Sequence, residues 1–133
     1  MGFKPRPWKE AQLRHIIQDV LQGLKWLHNH DYVHRDIRGD NIIIDKNGRA
    51  HLIDLEYAGK AGAVNFKLEH WPSAAASFYP KTADLYLVGQ PMKAHRHVLE
   101  DSGLVFMQKL IKEELDVEGA LSDAWLQGNN TDF

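Results

Sequence analysis

Apolar residues recur at Leu13, Ile16, Ile17, Val20, Leu21, Leu24 and Leu27, in steps of three and four. That spacing makes one continuous stripe and predicts a helix over residues 8–30. Gln12, Arg14, Asp19 and Gln22 fall opposite the stripe. Pro7 suits the helix's first turn, and Asn29, His30 and Asp31 end it. Two short apolar runs follow, at Tyr32-Val33 and over residues 41–45, and runs this short read as strands. "DKNGR" comes next, with Asn47-Gly48 as a strong hairpin signal, and the return strand covers residues 50–54. Such a hairpin brings Asn41, at the start of one strand, beside Asp54, at the end of the other.

The polar positions between the runs are crowded. His34, Arg35, Asp36, Arg38, Asp40 and Asn41 lie within eight positions, which makes a charged loop. The hairpin places Asp36, Asn41 and Asp54 around one small volume. Two carboxylates and an amide oxygen are hard ligands of the kind magnesium prefers, and magnesium takes phosphate oxygens as further ligands. A cation such as Arg38 beside a carboxylate can neutralise phosphate charge in a transition state. This chemistry points to phosphoryl transfer. Read residue by residue, the same loop is a solvated set of ion pairs.

Composition narrows the setting. The chain has 133 residues, 44% of them hydrophobic, which suits one domain or one lobe of a larger one. A net charge of -2 gives no global pull toward nucleic acid or an anionic membrane, so neither is an expected partner. The absence of cysteine excludes a disulfide scaffold, a thiolate nucleophile and a Cys-based zinc site. No segment has the length and apolarity of a signal peptide or a membrane span. The expected location is intracellular, cytoplasmic or nuclear, with a secreted effector open if the chain is a fragment. His28, His30 and His34 do not form a zinc motif, because Asp31-Tyr32-Val33 breaks the helical spacing. The four tryptophans, Trp8, Trp26, Trp71 and Trp125, read as packing residues.

"HRDIRGDN" resembles the catalytic loop of protein kinases, and "LIDLE" resembles the metal-binding segment that follows it. Asp36 to Asn41 is five positions and Asn41 to Asp54 is thirteen, as in that family. "LKWLHNHDYVHRD" resembles the helix leading into the loop, and "KTADLYLVGQPM" the buried helix of the large lobe. The stretch over residues 104–128 weakly resembles the closing helices, with Trp125 at a packing position. The resemblance implies an α+β, mainly helical fold: a protein-kinase-like large lobe with a small β-hairpin at the active site and the small lobe absent. Residues 1–133 are then a single partial domain. It implies ATP and Mg2+ as cofactors, and these roles for residues. Asp36 accepts or orients the proton of the attacking hydroxyl. Arg38 stabilises the transferred group. Asn41 and Asp54 hold the metal-nucleotide. His34 and Arg35 are structural, with Arg35 a receiver for a phosphorylated loop. Asp84 caps the backbone of the catalytic loop from below.

Departures from the pattern sharpen the expectation. After Asp54 the chain continues Leu55-Glu56 where the family has Phe-Gly. An Asp-x-Glu pair is similar to choline and aminoglycoside kinases, and "EYAGKAGAV" to Crinkler-type effector kinases of fungi and oomycetes. Glu56 is then an additional metal ligand; taken alone, it is a solvated loop carboxylate. "HWPSAAASFYP" stands where Ala-Pro-Glu usually closes the activation segment. "GKAG", residues 59–62, lacks the pattern of a phosphate-binding loop and reads as a flexible loop. No glycine-rich strand-turn-strand precedes residue 8. Three functions remain: a protein-kinase-type phosphotransferase acting on protein hydroxyls, a noncatalytic kinase-fold interaction module, and a small-molecule kinase fragment. The expected partners are a protein substrate or a small-lobe-like chain. Self-association is the alternative, through an upper face that leaves Trp8 and the strand over residues 41–44 partly uncovered.

Overall fold

The computed structural model describes Pro7 and residues 9–75 and 77–128. Helix α1 spans Glu10–Asn29 and is followed by strands β1 (Tyr32–Val33), β2 (Ile42–Ile44), β3 (Ala50–Leu52), β4 (Gly59–Lys60), β5 (Gly62–Ala63) and β6 (Phe78–Tyr79). Helices α2 (Lys81–Ala94), α3 (Asp101–Ile111), α4 (Val117–Leu121) and α5 (Ala124–Gln127) complete the order. The fold is α+β and mostly helical, as expected. Among the described residues the strands form three separate antiparallel pairs, β1 with β4, β2 with β3 and β5 with β6.

The predicted stripe is the buried face of α1: Leu13, Ile16, Ile17, Val20, Leu21, Leu24 and Leu27 all lie in the core. The helix starts later than the pattern suggested. Lys9 is its N-cap, with its backbone N–H held by Gln12 Oε1 at 3.0 Å. Pro7 therefore precedes the first turn and is buried. Trp8 lies outside the described residues. Helix α1 packs against β3, α4, β1 and α2, and α2 packs against α3. Asp19 ties α1 to the hairpin: it accepts from Arg49 Nη2 at 2.6 Å, Arg49 Nε at 2.9 Å and the Ala50 backbone N–H at 3.0 Å.

The hairpin pairs Ile42 with Leu52 and Ile44 with Ala50. Its turn is longer than an Asn-Gly pair alone. Gly48 N–H donates to Asp45 O at 3.0 Å, and Gly48 takes φ +80°, a conformation glycine adopts without a Cβ clash. Asp45 Oδ1 accepts from the backbone N–H groups of Asn47 and Arg49. The turn is thus built by Asp45 and Gly48 together.

The flexible-loop reading of residues 59–62 is corrected here. Gly59 and Lys60 pair with Val33 and Tyr32, and Gly62 and Ala63 pair with Tyr79 and Phe78. A Cβ at Gly59 would stand 2.9 Å from Arg35 Nη1 and push on the guanidinium that holds the Tyr57 and Lys60 carbonyls. Trp26, at 65% exposure, is not a core residue. Trp71 and Trp125 are buried.

Candidate active site

The site starts from a buried charge. Asp84, in the first turn of α2, is fully buried. A buried carboxylate is stable only when its lone pairs are satisfied. Oδ2 accepts from the His34 backbone N–H and from His28 Nε2, both at 2.9 Å. Oδ1 accepts from the Arg35 backbone N–H at 3.0 Å and from Tyr79 Oη at 2.6 Å. Burial, with the Asp84 charge beside it, pushes the Tyr79 phenol far above its usual pKa. Arg35 takes φ +75°, a strained conformation for a residue with a Cβ. The two successive amides aimed at one carboxylate explain how that strain is held.

Asp84 therefore fixes the loop from below, and the next residues follow. The Asp36 backbone N–H donates to His34 Nδ1 at 3.1 Å. That makes Nδ1 the acceptor and leaves Nε2 to donate to Ile53 O at 3.1 Å. His34 thus links the charged loop to the segment carrying Asp54. Asn41 Nδ2 donates to Asp36 O at 2.8 Å and to Asp36 Oδ2 at 2.9 Å. The Ile53 backbone N–H donates to Asn41 O at 2.9 Å, closing the base of the hairpin.

Each predicted residue has a place in this frame. Asp36 and Asn41 are buried and bonded to each other. Arg38 is half exposed, with Nε 3.6 Å from Asp36 Oδ1. Asp54 is exposed at the hairpin end, at φ +63°, and its Oδ1 accepts from the Glu56 backbone N–H at 3.2 Å. Glu56 is exposed and faces Tyr57, whose phenol its charge and hydrogen bond push up. Among the described residues, no three His, Cys, Asp or Glu side chains gather closely enough to hold a metal ion. The link between Asn41 and the segment that carries Asp54 is the backbone bond from Ile53 N–H to Asn41 O. The Asn41 amide nitrogen is spent on Asp36.

Residues 4–71, just over half of the chain, match the protein kinase domain model. The chain belongs to the protein kinase domain family. It is 39% identical over 54 residues to serine/threonine-protein kinase CLA4 of Eremothecium gossypii, covering 41% of this chain and 7% of that protein. It is 43% identical over 51 residues to serine/threonine-protein kinase pakA of Dictyostelium discoideum, covering 38% and 4%. It is 47% identical over 48 residues to dual specificity protein kinase zak2 of the same organism, covering 36% and 8%. The matched stretch is thus less than a tenth of the length of each of these relatives.

One expected role is corrected within this kinase frame. Arg35 does not stand ready for a phosphorylated loop. Its Nη1 donates to Tyr57 O at 3.2 Å and its Nη2 to Lys60 O at 2.7 Å. The guanidinium staples the following segment to the charged loop through backbone carbonyls. Its Nε is buried without a partner.

Three side chains at the site went unread in the sequence. Tyr79 completes the Asp84 cluster. Trp71 donates from Nε1 to Arg35 O at 2.6 Å and stacks at a tilt on Tyr79, with ring centroids 4.7 Å apart. His70, beside it, points Nε2 at Asp36 Oδ1 across 3.1 Å. The signal available for the first two was the density of aromatics near "HWPSAAASFYP". Nothing local marked His70. A separate groove of about 650 Å3 between α1 and the hairpin turn is lined by His15, Ile16, Asp19, Ile44 and Arg49. It does not include Asp36, Asn41 or Asp54.

Proposed function

We propose that this chain is the large lobe of a protein-kinase-type phosphotransferase that moves a phosphoryl group from ATP to a protein hydroxyl. The observation that carries the reading is the buried Asp36 carboxylate, held by Asn41 Nδ2 at 2.9 Å, with Asn41 itself bonded to the segment that carries Asp54. A fixed carboxylate of this kind orients an acceptor hydroxyl and takes its proton. Arg38, 3.6 Å from the same carboxylate, brings positive charge to the side where a transferred group would sit. The serine/threonine names of the relatives favour protein hydroxyls over choline or aminoglycoside acceptors. The Crinkler-type likeness rests on residues 56–64 alone.

The donors present fit magnesium, because they are hard oxygens and few enough to leave positions for water and phosphate. Asn41 and Asp54 would hold the ion, and Glu56 would join only by leaving Tyr57. Bound there, magnesium-ATP supplies the phosphoryl group and neutralises its charge. A second wall for the nucleotide would come from another segment, in this polypeptide or a partner. The apolar face that would receive it includes Trp26 at 65% exposure, Leu55 at 58% and Ile43 at 49%. A groove of about 590 Å3 runs beside Trp26, Leu52 and Leu55. An exposed patch of this kind tends to mark an interaction site, either for such a segment or for a second copy. The proposed setting is the cell interior, where ATP is available.

Titration with manganese-ATP, followed by NMR, tests the reading. Paramagnetic broadening should appear first at the charged loop and around Asp54, and should vanish in Asp54→Ala. Unchanged signals at both places would refute it.

A further inference from the structure

We propose that His70 is a positioning residue for the Asp36 carboxylate. The inference rests on the reading of Asp36 as the group that receives the acceptor hydroxyl. Its starting point is an unexplained contact. His70 Nε2 lies 3.1 Å from Asp36 Oδ1 and is buried, yet the pair is too poorly aligned to count as a hydrogen bond. A buried ring nitrogen without an aligned partner is costly and calls for a reason. The ring is not there by drift. Trp71, the next residue, is locked to the Arg35 carbonyl at 2.6 Å, which fixes the chain direction at His70.

The two carboxylate oxygens are treated differently. Oδ2 is held by Asn41 Nδ2. Oδ1 faces Arg38 Nε at 3.6 Å and His70 Nε2 at 3.1 Å, without an aligned donor. Oδ1 is therefore the oxygen left for an acceptor hydroxyl. Burial pushes the His70 pKa down, against the pull of Asp36, which favours the neutral ring. In this proposal the ring proton sits on the nitrogen facing Asp36, with the Arg35 carbonyl as the competing acceptor. A neutral N–H there limits rotation of the carboxylate without cancelling its charge. Catalytic hydrogen bonds are often misaligned before substrate arrives and tighten with it.

The test crosses two substitutions with two readouts on the full chain. His70→Phe keeps a ring of similar size and removes the donor. His70→Gln keeps an N–H at similar reach and removes the ring. At fixed pH 7.5, the Asp36 carboxyl carbon-13 shift should move in His70→Phe and return toward the parent value in His70→Gln. The His70 ring nitrogen-15 shifts should move in Asp36→Asn and stay in Asp40→Asn. A purely packing role predicts the opposite order, with Phe tolerated and Gln disruptive. Absence of any reciprocal shift between Asp36 and His70 would overturn the proposal. In a phosphotransfer assay, His70→Phe should lower kcat on the order of tenfold or more with KM for ATP unmoved, and His70→Gln should restore part of the loss. A change in KM alone would overturn it as well. A chain that binds no nucleotide and transfers nothing would refute the kinase reading, while the carbon and nitrogen shifts would still decide whether His70 holds Asp36.

Discussion

Replacing Asp84 by alanine should be among the most damaging single changes in this chain. The carboxylate accepts four hydrogen bonds, from two backbone amides, His28 and Tyr79, and none of these donors reaches water at that point. Each buried donor stranded by the substitution costs about 1–3 kcal/mol. The four do not add in full, because the loop at His34 and Arg35 can shift once released. After that discount the expected loss is about 3–5 kcal/mol. Asp101, exposed in the first turn of α3, provides the control. Its removal forfeits only a favourable charge at a helix N-terminus, about 0.5 kcal/mol. Urea unfolding followed by tryptophan fluorescence reads both, with Trp71, packed on Tyr79, one of the four reporters. With a slope of about 2 kcal/mol per molar, Asp84→Ala should lower the midpoint by roughly 2 M and Asp101→Ala by a few tenths. Equal midpoints would show that the Asp84 cluster does not hold the loop.

Other changes test the frame around the site. Gly23→Ala should stabilise α1 by about 0.5–1 kcal/mol, since the new methyl meets only Leu52 Cδ1 at 3.8 Å. Gly89→Ala should cost about 1–3 kcal/mol, because its methyl would stand 2.8 Å from Ile111 Cγ1, and thermal unfolding reads the opposite signs directly. Burial raises the Asp19 pKa, but the hydrogen bonds from Arg49 and Ala50 outweigh it and hold the carboxyl below its usual value. The folded state therefore favours ionised Asp19, and the stability it adds is present above about pH 4 and lost as the pH falls below that. The gap in unfolding midpoint between the parent and Asp19→Asn should be full at pH 6 and narrow toward pH 3; a constant gap would refute the coupling. Arg14→Lys should loosen α5 from α1, because Arg14 Nε donates to Trp125 O at 2.7 Å and its guanidinium lies over the Trp125 ring. The change should appear as faster hydrogen exchange in α5.

How much of this was legible from the chain depends on the range of the forces involved. The α1 stripe and the hairpin are written locally, in apolar periodicity and in Asn47-Gly48, and both formed within two residues of expectation. Asp84 was legible through the resemblance of "KTADLYLVGQPM" to the buried helix of the kinase large lobe, since a carboxylate buried there needs partners. The pairing of residues 59–63 was not. Glycine and alanine carry no strand pattern, and those residues are drawn into pairing by Arg35, Asp31 and Tyr79 from elsewhere in the chain. The position of Arg35 could not be read for the same reason, since its partners are backbone carbonyls that any sequence would offer. Trp26 stood off the α1 stripe in the pattern, and its exposure follows from that, against the habit of reading tryptophan as core.

The geometry of the site is best understood as a consequence of one buried anion. Asp84 can stay buried only if the amides of His34 and Arg35 both turn toward it, which drives Arg35 to φ +75°. That turn leaves the Arg35 carbonyl to Trp71 and sends its guanidinium to the carbonyls of Tyr57 and Lys60. The segment after Asp54 is thereby held against the loop on one side, while the His34 ring holds Ile53 on the other. Asp36 and Asn41 sit between these two attachments, their side chains bonded to each other and the Asn41 carbonyl to the Ile53 N–H. Their position is thus inherited from Asp84 through backbone amides and carbonyls. Isosteric substitutions at Asp36 or Asn41 should therefore change chemistry while leaving the Asp84 frame of the loop in place. Substitutions at Asp84, Tyr79 or Trp71 should displace the same carboxylate without touching it.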